Sequence, residues 1–160
     1  MTRIEVKPVA NARDREVFLR VPFAVFGDDP KWIAPLLFER REHIDAKKNP
    51  YFAHAEVQLF TAFKDGKPAG RISAQVDRLR LERHRDQTGQ FGFLDAIDDR
   101  DVFRALVGAA EDWLKSRGMR QIQGPFTFSI NDETGLLVDG FDTGRAENAA
   151  GRARGPFCRR

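Results

Sequence analysis

The sequence predicts a three-layer α/β domain built on a mixed, largely antiparallel sheet, and three observations predict it. Between residues 90 and 128 a strand pattern, a helix pattern and a second strand pattern follow one another. Such a βαβ unit sets its two strands parallel through a right-handed crossover. Asp65-Gly66 stands between two β-rich runs, 56–63 and 69–76, which is a strong hairpin signal. Within the βαβ unit Val102, Phe103, Leu106, Ala110, Trp113 and Leu114 recur at three- and four-residue spacing, an apolar stripe that must lie on a sheet.

Taken in order, residues 4–9 alternate enough for a first strand. Asn11 is placed to cap a helix carrying Val17, Phe18, Val21 and Val25 on one face. Pro22 should kink that helix, because proline removes a helical hydrogen bond. Asp28-Asp29-Pro30 is a turn, and 32–44 reads as a second amphipathic helix using Trp32, Ile33, Leu36 and Leu37. The hairpin follows, then a charged and exposed stretch at 78–87, a strand at 90–97, a helix at 101–117 ended by Gly118, and a strand at 120–128. The resulting order is β-α-α-β-β-β-α-β.

Composition narrows the function classes. Fourteen phenylalanines and two tryptophans in 160 residues supply a core without staples. The single cysteine, Cys158, has no intramolecular partner, and the first residues carry no apolar signal core, so a cytoplasmic protein is expected. No apolar run approaches a membrane span, and no membrane partner is expected. The formal charge of +3 is concentrated at the end, where Arg145, Arg152, Arg154, Arg159 and Arg160 oppose only Glu147. The body is slightly acidic, which argues against specific nucleic-acid binding. Gly, Ala and Arg without apolar periodicity give 144–160 the composition of a disordered tail.

The candidate chemistry lies in the run 124–133. It follows the second parallel strand, and open α/β sheets place ligands at such C-terminal ends. Glu133 is the candidate proton acceptor for an amine, and Ser129, Asn131 and Asp132 are candidates to orient a substrate. The plainer reading is a loop whose Ser, Asn and Asp bond their own backbone. Arg71, inside a strand after Gly70, is a candidate anion contact. His43, His54 and His84 lack metal-ligand spacing; each is expected to be solvated or to cap backbone, and no metal site is expected.

Several sequence words point to a family. Asp29-Pro30-Lys31-Trp32-Ile33-Ala34-Pro35-Leu36, Gly89-Gln90-Phe91-Gly92-Phe93, Arg117-Gly118-Met119, Gln123-Gly124-Pro125-Phe126 and Asn131-Asp132-Glu133-Thr134-Gly135-Leu136-Leu137-Val138-Asp139-Gly140-Phe141 resemble the first half of a bacterial family in the GNAT (N-acetyltransferase-like) superfamily. The resemblance implies a partial GNAT-like domain over 1–143, truncated relative to longer members and incomplete at its C-terminus. It implies acyl transfer from acyl-CoA to a small-molecule amine in the complete protein, with a sister GNAT-like domain or self-association as the protein partner. Family members bind the CoA pyrophosphate on a glycine-rich turn ahead of a helix. Here the matching residues, 95–101, contain Asp95, Asp98, Asp99 and Asp101 and no glycine. No cofactor is therefore expected on this chain alone, which is expected to be inactive. The alternative is a noncatalytic ligand-binding or domain-packing module.

Overall fold

The computed structural model describes residues 2–129 and 131–135. The expected tail at 144–160 and any completion of the fold beyond Gly135 lie outside the described residues. Five strands form one sheet in sequence order, β1 (Ile4–Pro8), β2 (Ala55–Lys64), β3 (Lys67–Asp77), β4 (Thr88–Ala96) and β5 (Gln121–Gln123). The first three pairings are antiparallel and β4–β5 is parallel. Helices α1 (Ala12–Phe26) and α2 (Leu37–His43) come between β1 and β2, α3 (Arg78–His84) between β3 and β4, and α4 (Arg100–Lys115) between β4 and β5. This is the three-layer, mixed-sheet order read from the sequence, with α3 added inside the charged stretch 78–87.

Local chemistry accounts for the boundaries. Asn11 Oδ1 accepts from the Asp14 amide, capping α1, and Asp99 Oδ1 accepts from the Asp101 and Val102 amides, capping α4. The β2–β3 hairpin turns through Asp65 and Gly66 at φ 50° and 79°, the positive-φ pair that Asp-Gly supplies with least strain. The second helix is shorter than 32–44. Pro35 has no amide hydrogen and biases the residue before it toward extended backbone, so α2 begins only at Leu37. Trp32 instead packs edge-on to Phe23, at 5.1 Å between ring centres.

Two apolar layers sandwich the sheet. On one face Val102, Leu106, Ala110 and Leu114 of α4 cover Ile72, Ala74, Leu94 and Ala96. The stripe is thus as expected, except that Trp113 and Phe103 lie at its margin, and Trp113 is stacked under Arg117. On the other face Phe18 and Leu19 of α1 meet Ile44, Tyr51, Leu59, Phe93 and Phe128. Pro22 lies within α1 and cannot donate to the carbonyl four residues back. That carbonyl, Phe18 O, instead accepts from Arg71 Nη1 of β3 at 3.4 Å, so the gap in the helix ladder becomes a tie to the sheet.

The most consequential irregularity is in β4. Arg71 pairs with Asp95 but Ser73 with Gly92, so two steps on β3 oppose three on β4, a one-residue bulge. Phe93 sits there at φ 48°. The bulge switches parity: Phe91 faces the α4 layer, Phe93 the opposite layer, and Leu94 and Ala96 the α4 layer again.

The last strand is shorter than the expected 120–128. It ends at Gln123 because Pro125 has no amide to continue a ladder. The residues beyond it are not left half-bare, since Phe128 is 2% exposed beneath the α1–α2 layer.

Candidate functional site

Where β5 ends, β4 continues alone, and the chain from Gly124 to Gly135 fills the gap as a pinned loop. The Phe126 amide reaches Phe91 O at 2.7 Å, the Thr127 amide reaches Glu133 O at 2.8 Å, and Phe126 and Thr134 form an antiparallel bridge. Gln75 Nε2 of β3 donates to Phe126 O at 2.8 Å. The approach depends on Gly92, where a Cβ would lie 1.9 Å from Phe126 O. Inside the loop Ser129 Oγ accepts from the Asn131 amide, and Ser129 O from the Asp132 amide. Ser129 and Asn131 thus make the backbone-bonding turn that the plainer sequence reading describes.

The loop lies over a floor of aromatic rings. Phe128 stacks on Tyr51 at 5.1 Å and meets Phe93 and Phe52 edge-on at 5.1 and 5.4 Å. At the loop's outer end Glu133 forms an ion pair with Arg40 of α2. Asp132 Oδ2 stands 3.7 Å from Nε2 of His43, whose ring lies 5.1 Å from Phe128 and 5.6 Å from Phe93. Burial among these rings pulls the His43 imidazole below its ordinary pKa; Asp132 and Glu133 oppose that shift and Arg40 adds to it.

Beneath this cluster Arg71 Nε donates to Asp95 Oδ2 at 2.7 Å, Nη2 stands 2.7 Å from the same oxygen as an ion pair, and the guanidinium lies 5.1 and 5.2 Å from the Phe18 and Phe93 rings. Arg71, the candidate anion contact, is thus 6% exposed and engaged inside the protein. Desolvation pushes the Asp95 carboxyl up against the pull of Arg71, and its Oδ1 has no hydrogen-bond partner among the described residues.

The structure therefore gathers four of the five sequence candidates, Ser129, Asn131, Asp132 and Glu133, in one loop and places Arg71 in the layer below. Sequence reasoning missed Arg40 and His43, and it assigned His43 to solvent or capping. A signal existed: Leu37, Arg40 and His43 or Ile44 fall at helical spacing on one face, and that face meets the loop. His54, expected to be solvated or to cap backbone, instead bonds a side chain, with Nδ1 3.1 Å from Asp77 Oδ1.

The loop ahead of α4 does not fit a CoA pyrophosphate. Asp99 already takes the Asp101 and Val102 amides in the first turn of the helix, and it is ion-paired with Lys64, which holds its carboxyl below the ordinary range. A phosphate there would meet a carboxylate where an anion site needs free amides. Among the described residues no cluster of His, Cys, Asp and Glu could hold a metal ion, and no helix is long and apolar enough to cross a membrane.

Element order, sheet order and a parallel β4–β5 pair that parts at the candidate site give this chain a layered α/β fold on a mixed five-stranded sheet. No family model matches it. It is 51% identical over 138 residues to Protein YghO of Escherichia coli (strain K12), covering 86% of this chain and 35% of that protein. It is 47% identical over 141 residues to the Bacterial ceramide synthase of Caulobacter vibrioides, covering 88% of this chain and 37% of that protein. The chain thus spans roughly a third of the length of these curated relatives. Solved structures similar in chain path include an aminoglycoside acetyltransferase, meta-AAC0020, from an uncultured soil metagenomic sample in complex with sisomicin. The match has a TM-score of 0.49 and 14% identity, over 76% of this chain and 75% of that one. A putative N-acetyltransferase from Lactobacillus plantarum matches with a TM-score of 0.47 and 17% identity, over 72% and 70%.

Proposed function

We propose that this chain is the acceptor-binding part of a longer N-acyltransferase that joins an acyl group to an amine. One observation carries the reading. The loop that leaves the parallel strand pair suspends two carboxylates, Asp132 and Glu133, and the imidazole of His43 over a floor of Tyr51, Phe52, Phe93 and Phe128. Carboxylates draw a cationic amine to the rim, and Phe52, the one ring of the floor that is not buried, offers apolar surface beside it. A relative that is 47% identical is named a ceramide synthase, and ceramide is the amide of a fatty acid with a long-chain amine, so an amine with an aliphatic tail is the preferred acceptor class. Ser129 and Asn131 shape the loop, Asp132 and Glu133 bind the amine, and Arg71 supports the floor from below. The acyl donor, an acyl-CoA, belongs to the complete protein, because the residues ahead of α4 do not cradle a pyrophosphate.

The competing reading is a noncatalytic packing module. The mutual pairing of Arg40 with Glu133 and Arg71 with Asp95 favours it, since both pairs are complete without a ligand. Calorimetric titration of the chain with n-octylamine and with octanoate separates the two. Saturable binding of the amine but not the acid, weakened at least tenfold by Asp132→Asn combined with Glu133→Gln, is expected. Absence of amine binding would leave the packing module as the reading.

A further inference from the structure

We propose that His43 is the group that takes the proton from the acceptor nitrogen, with Asp132 holding the ammonium against it. The inference rests on the acyl-transfer reading above and deepens it. Glu133, the candidate drawn from the sequence, is bonded to Arg40, and protonating it would discard a charge-assisted pair. His43 has no such engagement. Its Nε2 is 3.7 Å from Asp132 Oδ2, beyond hydrogen-bond length, and no hydrogen bond to another described residue occupies the ring. A nitrogen about 2.9 Å from each atom, the ordinary length for such contacts, spans that gap as the apex of a triangle. An ammonium there donates one N–H to the Asp132 carboxylate and another to the imidazole.

The surroundings fit the task. The walls around the ring, Phe93 from β4 and Phe128 from the loop, are uncharged. The charged groups that face it are Asp132 and Glu133 from the loop and Arg40 from its own helix. Burial keeps the ring neutral near pH 7, the state in which it can accept a proton. The ammonium first gives one proton to Nε2, which passes it to solvent, and the nitrogen is left with a lone pair. In the transfer step that nitrogen forms a C–N bond to the carbonyl carbon of an acyl thioester, the C–S bond breaks with its electron pair leaving on sulfur, and the second proton that nitrogen sheds is taken by Nε2 and returned to the thiolate.

The test is a proton NMR pH titration of the whole chain with and without saturating n-octylamine. The His43 ring signal is assigned by its loss in His43→Gln, with His43→Asn as a second variant should the first fail to fold, and the His54 and His84 signals by their loss in His54→Gln and His84→Gln. The expected result is a His43 midpoint below the ordinary 6.5 of a free histidine, moved down by at least about half a unit by the bound ammonium. His54 and His84 stay unmoved, and Asp132→Asn abolishes the shift. Octylamine that binds without moving the His43 midpoint overturns the assignment of His43 alone. Failure of octylamine to bind overturns the acceptor-site reading and this inference together.

Discussion

Asp95→Ala is the perturbation that most directly tests how the site is supported. Asp95 is 1% exposed and Arg71 6%, so deleting the carboxylate strands a guanidinium in the interior. A charge-assisted hydrogen bond and an ion-pair contact, both at 2.7 Å, vanish, leaving Arg71 with a 3.4 Å contact to Phe18 O and the faces of Phe18 and Phe93. Breaking a buried pair by removing one partner costs about 3 to 5 kcal/mol, a large share of the stability of a domain this size. With a urea dependence of about 1 to 3 kcal/mol per molar, the denaturation midpoint should fall by roughly 2 M. Arg71→Met alone should cost less, because the orphaned Asp95, already pushed toward its neutral form by burial, can take up a proton. The double variant Arg71→Met/Asp95→Leu should be more stable than Asp95→Ala, since apolar pairs of similar volume replace buried ion pairs at little cost. An Asp95→Ala midpoint within about 1 kcal/mol of the parent, or a double variant that equals the sum of its singles, would refute the picture of an internal pair bracing the aromatic floor.

Further outcomes follow from other parts of the fold. Acetyl-CoA should not bind this chain with a dissociation constant of about 10 μM or tighter, worth about −7 kcal/mol, because Asp99 and Lys64 close the start of α4; a saturable titration in that range would contradict this. Leu106→Ala should cost about 2 to 5 kcal/mol, because Leu106 is fully buried against Gly70 and Ile72. Trp113→Ala should cost only about 1 to 2 kcal/mol, since its ring is partly exposed under Arg117; reversal of that order in urea melts would misplace the α4 face. Glu16 is held at about 2 by Arg41 and Arg20, below its ordinary 4.5. Its stabilising effect is complete above pH 4.5 and disappears as the pH falls toward 2. Glu16→Gln should therefore flatten that acid limb while changing stability at pH 7 by less than about 1 kcal/mol, as befits a surface pair.

Much of the framework was legible because each piece was announced locally. Asp65-Gly66 dictated a hairpin, Asn11 and Asp99 announced helix starts, and the α4 stripe named its own buried face. The parts that escaped depend on contacts distant in sequence. Arg71 alternates with Gly70, Ile72 and Ala74 in a strand whose second face looks wet on paper, yet α1 and the loop bury that face, and Asp95 makes the burial tolerable. His43 stands on a helix of only seven residues, and its spacing from Leu37 and Arg40 marks a shared face without naming the loop that the face meets. The β4 bulge lies in Phe91-Gly92-Phe93-Leu94, where every residue suits either face, so no local pattern betrays the extra one.

That extra residue makes the length of β4 a quantity the protein cannot change freely. Deleting Phe93 would return the strand to even spacing with Asp95 still opposite Arg71 and Leu94 still toward the α4 layer, but it would remove the ring that packs against Phe18, His43 and Phe128. In a set of aligned sequences, a one-residue gap here would mean a protein that keeps the sheet and the Arg71–Asp95 pair and lacks one ring of the aromatic floor, however well its other positions match. The hairpin tip tolerates the opposite change, because nothing lies within 4 Å of a side chain at Gly66. Insertions at that tip should leave the sheet intact, whereas loss of the bulged residue of β4 would keep the polarity of both faces and leave a gap where Phe93 packs.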